Sequence, residues 1–268
     1  MKRAIYLAGL VAVLAAAACV GSGGAGVASA QSNEFRWRGA VAAGRTVEIK
    51  GVNGRVEAAP SSGGEVEVSA SKHARRSNPS EVRVEVVEHA GGVTICAVYP
   101  SSRADQPNVC APGDGGRMNV QNNDVVVDFT VRLPAGVRFR GQTVNGDVEA
   151  RNLGADVDAR TVNGSINVST AGLATAKTVN GSITAAMGRA DWSGGLEFST
   201  VNGAIELNLP ADLSAEVEAA TVNGEILTDF PLTVTGRYSR RRLTGTIGGG
   251  GRELRLKTVN GSVHLRRA

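Results

Sequence analysis

Aromatic side chains are scarce in this chain: two Trp, three Tyr and five Phe make up 4% of 268 residues. Rings supply much of the volume of a thick core, so their shortage favours thin layers. Trp37 and Trp192 alone are a poor platform for stacking sugars. Histidine is as sparse, and His73, His89 and His264 lie far apart with no companion at the spacing of a zinc site. The many serines include no Gly-x-Ser-x-Gly elbow, and the glycine run at 248–251 lacks the Lys-Ser/Thr of a phosphate loop. Charge is balanced: the net value of +4 falls to +2 once Lys2 and Arg3 are set aside, which gives no basic character suited to nucleic acid. Past residue 30 no apolar run is long enough to cross a bilayer as a helix. These absences leave no catalytic residue, cofactor or metal ligand to nominate, and they point to a non-enzymatic protein.

What the chain has instead is glycine, 35 residues of it, and a repeat. Thr-Val-Asn-Gly starts at Thr143, Thr161, Thr178, Thr200, Thr221 and Thr258, and Gly51-Val52-Asn53-Gly54 is an isolated earlier copy. Such a period marks a stacked fold in which each unit buries its apolar face against its neighbours. The steps between asparagines are 18, 17, 22, 21 and 37 residues. They suit a coil of short strands and are too short for helical repeats or propeller blades. The 37-residue step reads as two rungs, with 243–247 as a degraded copy and Thr244 in the asparagine position.

Each unit alternates with period two, as a half-buried strand does. Val217, Ala219, Thr221 and Asn223 share one parity, and Leu254, Leu256, Thr258 and Asn260 repeat it. The expected fold is all-β: a β-solenoid, parallel β-helix-like, with N-terminal antiparallel strands or hairpins as its cap. Asn-Gly is a strong turn dipeptide, so the corners fall at Asn145-Gly146, Asn163-Gly164, Asn180-Gly181, Asn202-Gly203, Asn223-Gly224 and Asn260-Gly261, with Asn53 in the first copy. Parity turns the threonines and asparagines inward, the asparagines stacking as a ladder about 4.8 Å apart. Strict alternation then sets Val144, Val162, Val179, Val201, Val222 and Val259 outward as an apolar contact stripe. A break of alternation at the corner would instead place them in the core.

Residues 1–30 read as a secretory leader: Lys2 and Arg3, an apolar run, then Ala28-Ser29-Ala30 before Gln31. The rival is a lipoprotein, since Ala16-Ala17-Ala18-Cys19 loosely resembles a lipobox and would anchor the chain through lipid on Cys19. Either route implies export to the periplasm, the cell surface or the medium. It also leaves Cys96 and Cys110 as a pair for a disulfide. Residues 31–133 form an N-terminal β region, with alternating runs at 65–71, 81–88, 93–99 and 125–133, and residues 134–268 form the solenoid proper.

The recurrent Thr-Val-Asn-Gly-x-Ile/Val, preceded by Gly44-Arg45-Thr46-Val47-Glu48-Ile49, the copy at Gly51 and Leu133-Pro134-Ala135-Gly136-Val137, resembles the DUF4097 family of bacterial envelope proteins, often labelled adhesins. The resemblance spans roughly residues 35–265. It implies a β-helix-like fold, an exported setting and, for some relatives, a link to envelope stress. It brings no catalytic residues.

Two further signals concern partners. Asp156 and Asp158 share a strand face, as do Glu216 and Glu218, the kind of pair that polysaccharide-handling β-helices display. No matching basic cluster is evident beside them in the sequence, which favours a solvated face. Residues 143–230 carry four basic against twelve acidic side chains, whereas 231–268 carry nine basic against Glu253 alone. Arg240, Arg241, Arg242, Arg266 and Arg267 are read as guarding the edge of the last rung. The expected role is surface contact with an envelope protein or a surface polysaccharide. The alternative is a β-helix protein that binds or processes polysaccharide.

Overall fold

The computed structural model describes residues 33–234 and 239–268; the leader and Cys19 lie outside them. The N-terminal strands are β1 (Glu34–Gly39), β2 (Thr46–Lys50), β3 (Val56–Pro60), β4 (Val66–His73), β5 (Arg83–His89), β6 (Gly92–Val98) and β7 (Val126–Leu133). The repeats supply β8 (Arg138–Gln142), β9 (Val148–Leu153), β10 (Val157–Arg160), β11 (Ile166–Thr170), β12 (Ala174–Lys177), β13 (Ile183–Met187), β14 (Gly195–Ser199), β15 (Ile205–Leu209), β16 (Ala215–Ala220) and β17 (Ile226–Thr228). The chain ends with β18 (Leu232–Val234), β19 (Arg242–Ile247), β20 (Glu253–Lys257) and β21 (Val263–Arg267).

They form two facing sheets. One runs β1-β4-β7-β3-β9-β11-β13-β15-β21-β17 and the other β18-β19-β16-β20-β14-β12-β10-β8-β2-β6-β5. Each coil contributes one strand to each sheet, and successive coils pair in parallel, as β10 does with β8 and β12. The fold is thus an all-β solenoid, flattened so that its interior is a single layer of side chains between sheets. Ile166, Val168, Ile183, Ala185, Ile205 and Leu207 line one wall, and Phe139, Ala159, Ala176, Phe198 and Leu256 the other, all essentially inaccessible to water. Small and large residues alternate across such a layer, which explains how so few rings fill it.

Chain order and stacking order differ at both ends. At the N-terminal end β6 and β7 form a coil outside β2 and β3, pairing with them in parallel. Antiparallel β5, β4 and β1 then cover its outer edges, so the strands expected as hairpins supply both a further coil and a cap. At the other end β20 lies between β14 and β16, and β21 between β15 and β17. The last repeat in sequence is therefore the second-to-last coil in space. The reading of 243–247 as a degraded rung is corrected: β19 pairs antiparallel with β16 and β18, and Thr244 faces Glu218 rather than joining the asparagine row. The 37-residue step is one coil plus a covering hairpin. The edge reading of the arginines shifts likewise. Arg240 and Arg241 lie on the true end coil, accepting through their carbonyls from Ile226 and Thr221 N–H, whereas Arg266 and Arg267 belong to an interior strand.

Candidate functional site: the repeat corner and the charged outer face

The four residues of the motif divide the work of the corner. Threonine is buried, 5–6% exposed in all six copies, and its hydroxyl donates to the glycine carbonyl one coil away: Thr143 to Gly54, Thr161 to Gly146, Thr178 to Gly164, Thr200 to Gly181, Thr258 to Gly203 and Thr221 to Gly261, each at 2.8–2.9 Å. Glycine is required by contact. A Cβ on Gly164 would lie 2.0 Å from the Gly146 oxygen, and the same distance recurs at Gly181, Gly203, Gly224 and Gly261.

Asparagine forms a ladder, but on the surface. Each Nδ2 donates to the Oδ1 of the next, from Asn145 to Asn53, Asn163 to Asn145, Asn180 to Asn163, Asn202 to Asn180, Asn260 to Asn202 and Asn223 to Asn260, at 2.7–2.8 Å. All are exposed except the half-buried Asn53. The expected inward orientation is therefore corrected, and the backbone supplies the reason. The N–H groups of Val162 and Asn163 both donate to the Val144 carbonyl, at 3.3 and 2.7 Å, and every repeat does the same. Two consecutive donors converging on one acceptor bend the chain sharply, so period two fails there and two successive side chains face outward.

Valine therefore shares the outer surface with asparagine. Val144, Val162, Val179, Val201 and Val259 are 38–39% exposed and Val222 is 53% exposed. In spatial order the row is 144, 162, 179, 201, 259, 222, one side chain per coil and about 4.8 Å apart.

Counting back from each threonine shows a second surface. The residue three places earlier is Arg140, Asp158, Thr175, Glu197, Arg255 or Glu218, with Glu48 in the same place before Gly51 of the first copy, and these stand next to one another across the outer face of the second sheet. Arg140 Nε lies 3.0 Å from Asp158 Oδ2, Arg160 Nη2 3.1 Å from the same atom, and Arg255 Nε 3.1 Å from Glu218. Arg138 faces Asp156 at 3.6 Å. The basic partners that seemed missing beside Asp156 and Asp158 are thus on the adjacent coil, legible only once the repeats are aligned on threonine. Between them lies an open cavity of about 310 Å³, bordered by Arg138, Arg140, Asp156, Asp158, Thr175 and Leu196.

The segment 99–124 folds over the start of this row, held by the disulfide between Cys96 and Cys110, whose Cα atoms are 5.7 Å apart. Beneath it Glu48 is buried and accepts from the Thr94 hydroxyl at 2.8 Å and the Gly113 N–H at 2.9 Å. The Lys50 ammonium donates to the carbonyls of Ala111, Gly113 and Gly115. Burial pushes the Tyr99 phenol up to about 12, and its hydroxyl donates to the Val125 carbonyl at 2.8 Å. At the far end of the segment the Ser77 N–H and hydroxyl, with help from the Arg76 N–H, hold the Asp124 carboxyl down at about 2. Among the described residues no group of three or more His, Cys, Asp and Glu could hold a metal ion, and no helix is long and apolar enough to cross a membrane.

This geometry defines a class, a β-solenoid whose coils each present the same two side chains at one corner. Residues 138–266, just under half of the chain, match the family model described as Toastrack DUF4097. Two solved structures are similar. One, described as a "putative cell adhesion protein" from Clostridium sporogenes, has 11% identity over 88% of this chain and 100% of its own, with a TM-score of 0.46. The other, a "putative adhesin" from Bacteroides fragilis, has 13% identity over 89% of this chain and 99% of its own, with a TM-score of 0.26. No curated protein matches the sequence.

Proposed function

We propose that this is an exported, non-enzymatic β-repeat protein of the bacterial cell envelope that acts by surface contact, as an adhesin-like element or an envelope scaffold, through the valine and asparagine corner. One observation carries the reading: six valines in register, each at least 38% exposed, on a rigid edge. Single exposed valines are ordinary, whereas a contiguous apolar row is the mark of a docking face. The disulfide supports an oxidising compartment, as does the leader sequence. The partner is an envelope protein or a surface polysaccharide with a flat, partly apolar face. The triple change Val162→Thr, Val179→Thr, Val201→Thr keeps β-propensity and removes methyl surface. Labelled protein carrying it should bind isolated cell envelopes much less well while melting nearly unchanged; undiminished binding rejects the corner as the contact.

A second reading, polysaccharide binding, has its own support in the alternating Arg138, Arg140, Asp156 and Asp158 beside the cavity of about 310 Å³. Exposure of the protein to an array of acidic and neutral glycans separates the two. Binding that disappears on Asp156→Ala with Asp158→Ala, and survives the valine changes, favours the sugar.

A further inference from the structure

Every copy of the motif contains Asn-Gly, the dipeptide most prone to lose its side-chain amide. The glycine backbone nitrogen attacks the asparagine Cγ, a new C–N bond forms, and the C–Nδ2 bond breaks as ammonia leaves carrying the displaced proton. A five-membered succinimide remains. Water then opens it at either carbonyl, giving aspartate or isoaspartate. Attack requires a glycine nitrogen free to give up its hydrogen and a side chain free to swing onto it, so the fold decides which copies react.

Six of the seven Asn-Gly pairs are locked on both counts. The glycine N–H donates to the asparagine carbonyl of the neighbouring coil: Gly54 to Asn145, Gly146 to Asn163, Gly164 to Asn180, Gly181 to Asn202, Gly203 to Asn260 and Gly261 to Asn223, at 2.8–2.9 Å. In these six the side-chain Oδ1 also accepts an Nδ2–H from the next asparagine of the ladder. The seventh pair is Asn223-Gly224. Among the described residues the Gly224 N–H has no acceptor and the Asn223 Oδ1 no donor, leaving only the bond from Asn223 Nδ2 to Asn260 at 2.7 Å. The neighbouring Val222 is the most exposed of the six repeat valines.

We propose that Asn223 is a self-modification site, converted to aspartate or isoaspartate through attack by Gly224 while the other six asparagines are held by the stack. The position is set by topology. In sequence the last copy is Asn260-Gly261, but β20 and β21 are intercalated, so the ladder ends at Asn223. The product removes the donor to Asn260 and, as isoaspartate, lengthens the backbone that supplies the acceptor for Gly261. That exposes Asn260 next, so conversion proceeds inward from this end.

The test uses the full-length folded chain, aged in mildly alkaline, ammonia-free buffer, then digested and mapped by mass spectrometry with separation of the isoaspartyl peptides. Acid at residue 223 is expected to accumulate about tenfold or more faster than at any other copy, because interior copies need local opening of the stack first. Asn260 should follow only after Asn223. The chain unfolded in denaturant is expected to convert all seven at comparable rates. Conversion of Asn53, Asn145, Asn163, Asn180, Asn202 or Asn260 ahead of Asn223 overturns the proposal. So does an unchanged Asn223 over the time in which the unfolded chain reacts.

Discussion

Each position of the repeat is held by a different force, so substitutions there should differ in kind. Thr178→Val keeps the shape and removes the donor to the half-buried Gly164 carbonyl, and an acceptor left short of its partner costs about 1–2 kcal/mol. Urea denaturation should show that loss with little change in slope. Gly164→Ala brings a methyl against the Gly146 oxygen, 2.0 Å away. The expected result is a loss of about 4 kcal/mol or more, or failure to fold. Gly64→Ala, with open space around its Cβ, should be nearly silent. Asn180→Ala breaks exposed amide bonds that water replaces, so about 1 kcal/mol or less is expected; a much larger drop in melting temperature would contradict the outward ladder. The inward threonine and the corner glycine were legible in the sequence. The outward asparagine was not, because two N–H groups sharing one carbonyl is a backbone event that no alternation of side chains reports.

Among the elements, the segment 99–124 carries at its two ends groups shifted in opposite senses, Tyr99 and Asp124. Tyr99 has its folded value raised to about 12 from an ordinary value near 10. Its contribution is complete below about pH 10 and is lost as pH rises toward 12. Tyr99→Phe should flatten that part of the alkaline stability curve, and an unchanged curve counts against the buried phenol. Asp124 behaves in the opposite sense. Its folded value is lowered to about 2, so its contribution is present above about pH 4 and disappears as pH falls from there to about 2. Proteolysis of the 74–82 loop should accelerate over that interval in the parent and be fast throughout in Asp124→Ala. The runs at 65–71, 81–88, 93–99 and 125–133 were readable because half-buried strands advertise their inner face. Their partners were not. A strand pairing in parallel on one edge and antiparallel on the other, as β6 does with β2 and β5, carries the same alternation either way.

For the whole molecule the decisive feature is the order of the coils. In a simple solenoid the last repeat in sequence lies at the end of the stack, and removing it shortens the stack by one unit. Here removal of residues 253–268 withdraws β20 and β21 from between two coils, leaving β14 and β16 without their shared neighbour and β15 without a lower partner. The truncated chain is expected to lose cooperative unfolding or aggregate through the bared strand edges. A sharp melting transition in the truncated chain would show that the interior coil is dispensable. The regular spacing of the motif made the stack legible, while the intercalation escaped because identical repeats fit any slot equally well and only the hairpin of β18 and β19 directs the last one inward. The slot closed by β20 and β21 also sets a schedule for the nascent chain. These strands follow β16 to β19 in the chain, so a polypeptide emerging N-terminus first carries an unfilled gap until residues 253–267 are present, and its two sheets become continuous only then.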